Sequence, residues 1–206
     1  MPTVRPATTD DVPLLARIMA EGFYADPVMT WALPDDATRL GKLTRMFTGL
    51  AQDSLPPRGH VYLADAAAIS LWRDPTFDHE AEAAAAAERE AAEQEAAEQG
   101  DEEPLFTADE AARFDNLTSA MRDVHPHEPH WYLNVLSTLP SHQSQGLGAA
   151  AIQPVLALAD AAGMPCYLES TNPRNRTLYR REGFDDLRPV PFDGPDMLAM
   201  WRPART

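Results

Sequence analysis

Hydrophobic and polar positions follow one another along the chain with two spacings, one close to the 3.6-residue period of a helix and one close to the two-residue period of a strand. Thr8, followed by the acidic pair Asp10-Asp11, is typical of a helix start. The stretch after it predicts a first helix that ends at Pro27, with an apolar face of Leu14, Leu15, Ile18, Met19 and Phe23.

The rest of the chain alternates between predicted strands and helices. Gly163 and Gly183 close the last two of these helices. The order predicts an α/β (α+β) fold class, in one domain over residues 1–206, with a central sheet and helices on both faces. Strands are predicted at 4–5, 60–64, 67–73, 131–138, 165–169, 184–189 and 197–201, and further helices at 35–53, 107–121, 146–162 and 172–182.

One segment departs from this pattern and carries most of the charge. Residues 78–103 contain 11 acidic side chains and one basic side chain, and ten alanines lie within 81–97. Alanine and glutamate are strong helix formers, so we expect a solvent-exposed helix at about 77–99 inside an acidic insertion. Runs of like charge are usually solvated, which favours a solvated insertion over the alternative of a partner-binding arm.

Composition limits the possible functions. The chain has 206 residues and a net charge of −15, of which the insertion carries −10. This balance argues against general nucleic-acid binding, because phosphate contacts need basic side chains. The single cysteine, Cys166, excludes an internal disulfide, and no apolar run reaches the roughly 18 residues of a membrane span. Because the first residues lack the apolar stretch of a secretory signal, we expect a cytoplasmic protein.

The sharpest local signal is a glycine turn at 143–149, which follows a predicted strand and opens a predicted helix. Gly146 and Gly148 allow the backbone to turn tightly and to approach a ligand closely. The N–H groups from Gln145 to Ala149 at the helix start then point outward, toward an anion such as a phosphate or pyrophosphate.

Two other interpretations of this turn stay open from the residues alone. Residues 146–151 also fit the G-x-G-x-x-A dinucleotide fingerprint, and Glu169 lies about where a ribose-binding acid would follow. A dinucleotide fold, however, needs more strand–helix units than the 58 residues after Gly148 supply. A purely structural glycine turn is the other alternative.

The sequence downstream favours a third interpretation. Gln143-x-x-Gly146-x-Gly148 resembles motif A of the GNAT superfamily of N-acetyltransferases. The run 172–184, with its Asn…Leu-Tyr…Gly-Phe pattern, resembles the second motif of that superfamily at the expected spacing. The resemblance extends over nearly the whole chain outside the insertion, and three segments are similar to the puromycin N-acetyltransferase branch: 23–27, 128–133 and 168–170.

This resemblance implies a GNAT-type domain with acetyl-CoA as the second substrate. The sheet would be mixed, mostly antiparallel and splayed, because the fourth strand bends away from the fifth and opens a slot. The pyrophosphate would lie on the amide turn, and the pantetheine arm would pair with the open strand edge. Ser144-Gln145 replaces a small-then-basic pair, which removes a cationic contact but keeps the amides. The implied cofactor-binding residues are Leu136, Ser137, Thr138, Leu139, Gln143, Ser144, Gln145, Gly146, Leu147, Gly148, Ala149, Asn175 and Tyr179.

The same resemblance implies that an amine attacks the thioester directly. Tyr179 occupies the family's general-acid position, where it would protonate the leaving thiolate. The alternative is a core tyrosine that packs on Phe184. Glu169 is the candidate general base, because it ends a predicted strand near the slot. A carboxylate with a purely structural hydrogen-bonding role is an equal alternative for Glu169.

The sequence gives fewer clues to the residues that would bind the acceptor amine than to those that would bind acetyl-CoA. Glu21 and Asp26, near the end of the first helix, are candidate contacts for a cationic substrate, and Tyr24 and Trp31 are candidates for an apolar wall. Exposed helix acids and core aromatics are the alternatives. Three imidazoles within 125–130 have the chemistry of zinc ligands, but prolines stiffen that segment and no second His or Cys cluster accompanies it. We therefore expect no metal.

These observations together predict an enzyme that acetylates a primary amine of a small molecule. Acetylation of a protein N-terminus or lysine, and a non-catalytic acyl-CoA-binding module of the same fold, are the alternatives. We expect no nucleic-acid or membrane partner and a monomer or homodimer. The sequence alone does not name the acceptor amine.

Overall fold

The computed structural model describes residues 2–56, 59–78 and 104–205. The acidic helix predicted at 77–99 lies outside these ranges from residue 79 onward, and Phe77 and Asp78, which are described, are not helical. The described strands are β1 (Val4–Pro6), β2 (His60–Ala64), β3 (Ala68–Arg73), β4 (Trp131–Thr138), β5 (Cys166–Ser170), β6 (Asp185–Pro189) and β7 (Leu198–Arg202). The described α-helices are α1 (Val12–Phe23), α2 (Pro27–Ala32), α3 (Asp36–Ser54), α4 (Ala108–Val124), α5 (Leu147–Ala162) and α6 (Arg176–Arg181).

Local capping chemistry sets most helix boundaries. Thr107 and Glu110 form a capping box at the start of α4, and Asp35 accepts the Ala37 amide at the start of α3. Gly163 ends α5 in the left-handed region, at φ 59°. Most element bounds therefore lie within about three residues of their predicted positions, whereas α1 ends and α6 begins four residues from the predicted Pro27 and 172.

The prediction that Pro27 marks the end of the first helix was wrong, because α1 ends at Phe23. Pro27 is instead the first residue of α2, whose start Asp26 caps by accepting the amides of Val28 and Met29. Proline suits the first helical position, because its missing N–H would have no partner there and its φ is already helical. The same residue therefore follows α1 and opens α2.

The strands form one open sheet in the order β1-β2-β3-β4-β5-β7-β6. Every neighbouring pair is antiparallel except β4 and β5, which run parallel. The expected mixed, mostly antiparallel sheet in a single domain is confirmed. The β6–β7 hairpin folds back so that β7, rather than β6, lies against β5.

Helices cover both faces of the sheet, and β4 shows this directly. The Ser137 hydroxyl donates to the Ile18 carbonyl of α1 at 2.8 Å, while the side chain of the preceding Leu136 lies near Gly148 of α5. Consecutive strand residues point to opposite faces, so α1 and α5 lie on opposite sides of β4. The Ser70 hydroxyl fixes α5 to its face by donating to the Ala151 carbonyl at 2.6 Å.

Candidate active site

A slot opens between β4 and β5, as the splayed-sheet expectation requires. The two strands pair only at Trp131 with Cys166 and at Tyr132 with Tyr167. Beyond these pairs β4 continues to Thr138 on its β3 side alone. A register shift against β3 leaves Asn134 as an extra residue in β4, a bulge of the kind that bends a strand. The edge of β4 after Tyr132 therefore has no strand partner on its β5 side among the described residues.

The backbone of residues 136–139 supplies this edge, but the four residues are not equivalent. The Leu139 amide donates to the Ala67 carbonyl at 2.9 Å, toward β3. Because backbone groups alternate in direction along a strand, those of Leu136 and Thr138 face the slot. The Ser137 side chain is buried under α1 instead. The predicted cofactor edge therefore presents backbone groups at two of its four positions.

The predicted anion turn lies at the same end of β4. Residues 143–146 are exposed, and Gly146 precedes α5 with φ 80°, a conformation that glycine adopts without strain. Ser144 also has a positive φ, 62°. The first helical bond runs from the Ala150 amide to the Gly146 carbonyl, so the amides of Leu147 to Ala149 need acceptors from outside the helix.

Side chains of this turn fold back on it. The Gln143 amide donates to the Thr138 carbonyl at 3.4 Å, and the Gln145 amide donates to the Ser141 carbonyl at 3.3 Å. These bonds tie the turn to the end of β4 and leave the backbone amides of the helix start uncovered. The turn thus offers donors from backbone rather than from cationic side chains.

Gly148 lies where β4, α5 and α6 converge. A Cβ at this position would lie 3.5–3.8 Å from side-chain atoms of Thr138, Leu136 and Leu178, which is ordinary contact. Packing alone therefore does not require glycine here. A side chain would instead fill the space beside the open amides, and that space suits the diphosphate and adjoining chain of an acyl-CoA.

Tyr179 projects from α6 into the sheet. Its side chain is buried and packs with Leu168 and Phe184, with ring centroids of Tyr179 and Phe184 6.1 Å apart. Burial, with the nearby Asp26 carboxylate, raises the pKa of the Tyr179 hydroxyl. The phenol therefore stays protonated at neutral pH, the state a general acid needs. The packing on Phe184 shows that the two sequence interpretations, acid and core tyrosine, are compatible.

Asn175 precedes Tyr179 by one helical turn and is exposed. It makes no capping bond with its side chain, whereas Asn172 accepts the Arg174 amide at 3.1 Å and begins the short turn before α6. The helix start is therefore held by Asn172, and the Asn175 amide is available to a ligand.

Glu169 lies on β5 two residues beyond the last β4–β5 pair. Its side chain is only 2% exposed, and its Oε1 atom has no hydrogen-bond donor among the described residues. Because Glu169 follows Leu168 in the strand, its side chain points to the face opposite Tyr179. The candidate acid and the candidate base therefore flank the slot from opposite faces.

The predicted substrate acids occupy different environments. The Asp26 carboxylate is 6% exposed: it caps α2 and accepts the Thr171 hydroxyl at 2.7 Å. Burial raises its pKa despite those three donors. Its contacts are internal, so the alternative of an exposed helix acid does not describe Asp26. Glu21 is half-exposed on α1 and pairs with Arg17 at 2.7 Å.

The two predicted wall aromatics lie on or beside α2. Tyr24 donates to the Asp36 carbonyl at 3.2 Å, and the Arg39 guanidinium lies 5.1 Å from its ring centroid. Trp31 packs edge-on against Phe192, with ring centroids 5.3 Å apart. Both rings are partly buried against the main core, so their packing supports the core-aromatic alternative without removing them from the surface.

Comparison with known proteins supports the assignment that this geometry suggests. The family model described as the acetyltransferase (GNAT) family matches residues 66–184, more than half of the chain. The chain belongs to the GNAT acetyltransferase family. The match includes β3, β4, the glycine turn, β5 and Tyr179, the elements that form the slot.

Three relatives illustrate the extent of the likeness. A crystal structure described as histone acetyltransferase HPA2 and related acetyltransferase from Corynebacterium glutamicum is 28% identical, with a TM-score of 0.68 over 100% of this chain and 97% of that chain. The PaiA N-acetyltransferase from Thermoplasma acidophilum, in complex with coenzyme A, is 10% identical, with a TM-score of 0.55 over 98% and 99% of the two chains. At that identity, the second likeness shows the fold alone.

The third relative is an uncharacterized N-acetyltransferase of Schizosaccharomyces pombe. It is 35% identical over 54 residues, which are 26% of this chain and 22% of the relative. The chain therefore matches about a fifth of the length of that curated protein, and this likeness adds no information on substrate.

Sequence reasoning missed the loop between β6 and β7 of this GNAT chain. Phe192 packs on Trp31, the Asp193 amide donates to the Asn116 side chain at 2.9 Å, and Arg176 pairs with Asp196 at 2.9 Å. The loop therefore bridges α2, α4 and α6. Its Phe-Asp-Gly-Pro sequence at 192–195 is a turn signal, but nothing local shows which elements the turn would contact.

The histidine segment of the GNAT chain folds inward. His130 is buried and its Nδ1 lies 2.7 Å from the Glu128 carbonyl, while His125 lies 3.7 Å from Glu169. Within residues 2–56, 59–78 and 104–205 no group of three His, Cys, Asp or Glu side chains is arranged to hold a metal ion. Cys166 is buried, and burial raises the pKa of its thiol to about 11.

None of the helices in the described part of this GNAT chain has both the length and the apolar character needed to cross a bilayer. The cytoplasmic location remains a prediction from the sequence.

Proposed function

We propose that this chain transfers an acetyl group from acetyl-CoA to a primary amine of a small molecule. The observation that carries the proposal is the slot between β4 and β5, with Tyr179 on one face and Glu169 on the other. A thioester in this slot would lie between a protonated phenol and a buried carboxylate. These two groups could serve as general acid and general base in amine acylation.

The residues of the chain fit acetyl-CoA as the acyl donor. The amides of residues 147–149 supply donors for a diphosphate, and the backbone of Leu136 and Thr138 supplies a strand edge for the amides of the pantetheine arm. Asn175 adds an exposed side chain at the start of α6. The fold relative from Thermoplasma acidophilum was solved with coenzyme A, which supports this class of ligand.

The reaction balances with these two groups and solvent, which takes the proton from Glu169 and returns one to Tyr179 after each turnover. The amine nitrogen attacks the thioester carbonyl carbon, so a C–N bond forms and the C–S bond breaks. The Glu169 carboxylate accepts the proton lost from nitrogen, and the Tyr179 hydroxyl gives its proton to the departing thiolate. Net proton transfer from amine to thiol then leaves an amide and free coenzyme A thiol.

The choice of a small amine as acceptor is supported by the resemblance of residues 23–27, 128–133 and 168–170 to the puromycin N-acetyltransferase branch. A second candidate, acetylation of a protein lysine, is favoured by the description of the Corynebacterium glutamicum relative as a histone acetyltransferase. A non-catalytic acyl-CoA-binding module would retain the amide turn but have no need for Tyr179 and Glu169 on opposite sides of the slot.

The test is release of free coenzyme A thiol from acetyl-CoA in a screen of acceptors. Puromycin, aminoglycosides, simple aromatic and aliphatic amines and a lysine-containing histone peptide form the panel. We expect turnover with at least one small amine, and loss of that turnover in Tyr179→Phe. Turnover with the peptide alone would support the protein-acetylating alternative. Thermal stabilisation by acetyl-CoA without turnover on any acceptor would support the non-catalytic module.

A further inference from the structure

A pocket near Tyr179 is lined by an arginine that has no ionic partner among the described residues. We propose that this pocket binds the acceptor, and that Arg174 at its rim selects a small primary amine that also carries a carboxylate, as amino acids do. This inference rests on the proposed function, because it names the class of amine that the enzyme would acetylate.

The pocket lies between the junction of α1 with α2 and the turn that leads from β5 into α6. It has a volume of about 390 Å³ and is lined by Ala25, Pro27, Asn172, Pro173 and Arg174. This volume lies within the usual range of sites for small molecules. The pocket therefore has room for a compact acceptor.

One internal hydrogen bond joins the two walls of the pocket. The Thr171 hydroxyl donates to the Asp26 carboxylate at 2.7 Å, and the same carboxylate accepts the amides of Val28 and Met29. Asp26 is buried, so this contact lies beneath the exposed residues that line the pocket. The walls are thus held at a fixed separation before a ligand binds, which reduces the ordering cost of binding.

The pocket adjoins the reacting end of the slot. Burial and then the Asp26 charge raise the pKa of the Tyr179 hydroxyl, so Asp26, which lies between two lining residues, is close to the candidate acid. On the other wall, Thr171 directly follows β5, the strand that carries Glu169. An amine in the pocket can therefore reach a thioester held between the two candidate catalytic groups.

Arg174 is the charged side chain among the lining residues. It is exposed, and its guanidinium forms no hydrogen bond or ion pair with any described residue. Its backbone amide donates to the Asn172 side chain at 3.1 Å, which fixes the turn at the edge of the pocket. A guanidinium can bind a carboxylate through two parallel hydrogen bonds. An anionic group on the acceptor therefore suits this rim.

The other arginines near the start of α6 are not available to the pocket. Residues 170–182 contain four arginines and one acid, in a chain that has 17 basic and 32 acidic side chains. Arg176 and Arg180 each pair with an aspartate, and Arg181 is the last residue of α6, at the end away from the pocket. Of these four side chains, Arg174 is therefore the one that can meet a ligand there.

Coenzyme A also carries anions, but the site that suits its diphosphate lies elsewhere. The amides of residues 147–149 open α5, which packs on the face of β4 opposite α1. The pocket is bounded instead by residues after the end of α1 and at the start of α2. These positions favour a carboxylate of the acceptor over a phosphate of the cofactor as the partner of Arg174.

The test compares the turnover of matched acceptors with acetyl-CoA. Phenylalanine, leucine and 4-aminobutyrate are each paired with the amine that remains when the carboxylate is removed: phenethylamine, 3-methylbutylamine and propylamine. Values of kcat/KM are expressed per unprotonated amine, because the carboxylate also changes the basicity of the nitrogen. We expect at least one amino acid to exceed its partner amine about tenfold or more, since charge-assisted hydrogen bonds are the strong ones.

Arg174→Gln tests the residue itself. We expect this variant to lower the preference for the amino acid over its partner amine about 10–100-fold, because the glutamine carries no charge. Arg174→Lys should keep part of the preference, since it retains the charge without the planar fork. Arg181→Gln is the matched control, an exposed arginine outside the pocket, and should keep the wild-type preference.

The outcomes separate this inference from the proposed function. If the wild type acetylates amines without preferring a carboxylate, or if Arg174→Gln keeps the preference, the inference is overturned and the proposed function stands. A higher KM for acetyl-CoA in Arg174→Gln with an unchanged acceptor preference would assign the guanidinium to a cofactor phosphate, which also overturns the inference. If the wild type acetylates no amine, the proposed function falls and the inference falls with it.

Discussion

Tyr179 shows how one side chain serves both the core and the proposed chemistry. Its ring fills space between Leu168 and Phe184, while burial and the Asp26 charge hold its hydroxyl in the protonated state. A proton donor to a thiolate must keep its proton until the C–S bond breaks. The environment that makes Tyr179 a core residue therefore also keeps the proton on its hydroxyl.

Replacing Tyr179 with Phe tests that role. We expect kcat to fall about 10²–10⁴-fold, because the thiolate loses its proton donor, while the affinity for acetyl-CoA changes little. Steady-state kinetics and a binding titration measure the two effects separately. Tyr62→Phe, on the half-buried strand β2, is the control and should keep turnover within about twofold. Wild-type turnover in Tyr179→Phe would contradict the assignment.

Asp26 allows a prediction about pH. Burial raises its pKa above the ordinary value of 3.8, so its favourable contribution to folding is complete below that value and is lost as pH rises through the raised pKa. Asparagine caps a helix as well as aspartate does but carries no charge. We therefore expect Asp26→Asn to match the wild type near pH 3.8 and to melt a few degrees higher at pH 7. Thermal melts across this range measure it.

A melting temperature of Asp26→Asn that lies below the wild-type value at pH 7 but equals it near pH 3.8 would show that the charge itself stabilises the fold. The same variant also bears on Tyr179, because removal of the nearby charge should lower the pKa of the buried phenol. The melting temperature and the pKa of the Tyr179 hydroxyl can therefore both be measured on the single variant Asp26→Asn.

At the scale of elements, the turn before α5 determines where the helix amides point. Gly146 has φ 80°, and an alanine in that region costs roughly 1–2 kcal/mol or forces the backbone to move. We expect Gly146→Ala to lower the melting temperature and to weaken or abolish stabilisation by acetyl-CoA, since the amides would be displaced. A thermal-shift assay with and without acetyl-CoA measures both effects.

Gly41 provides the matched control for that substitution. It lies in the middle of α3, and a Cβ there would meet nothing within 4 Å. Gly41→Ala should therefore stabilise the protein by about 0.5–1 kcal/mol and leave the acetyl-CoA shift unchanged. A full acetyl-CoA shift in Gly146→Ala would refute the role of this turn.

The packing of α1 on β4 is another property of elements rather than residues. A Cβ at Gly22 would collide with the Ser137 hydroxyl, and that hydroxyl also donates to the Ile18 carbonyl. Because Gly22 and Ser137 are both small, α1 can approach β4 closely. This contact explains why Ser137, expected at the cofactor edge, directs its side chain into the helix interface.

At the scale of the whole molecule, the acidic insertion is the dominant electrostatic feature. Residues 78–103 carry −10 of the net −15, and they stand between β3 and α4 in the chain. We expect deletion of residues 81–99 to leave turnover and melting temperature nearly unchanged, because a solvated segment contributes little to the core. Activity assays and thermal melts on the shortened chain test this. A collapse of either would identify the insertion as part of the fold or the site.

The sequence predicted the secondary-structure elements and the divergence of β4 from β5 more completely than it predicted the region around α2, where the candidate substrate residues lie. Strands β2 and β4 have the predicted bounds, and Leu178, which precedes Tyr179, lies beside Gly148 of the glycine turn. These features depend on local periodicity and on motifs of adjacent residues. Helix α2 was missed, because Pro27 signals both the end of one helix and the start of another.

By itself the sequence determined the helix caps, the strand pattern, the motif turn and the charge asymmetry, because each depends on residues close together in the chain. Only the tertiary structure decided which distant residues meet. Thr171 reaches Asp26 across 145 positions, and Glu169 faces His125 because β5 lies parallel to β4 and then diverges from it. The order of the strands and the divergence of β4 from β5 bring these groups together. Burial of the shared hydrophobic core holds the elements in that arrangement. No local pattern records that arrangement, since hydrophobic burial has no direction and specifies no partner.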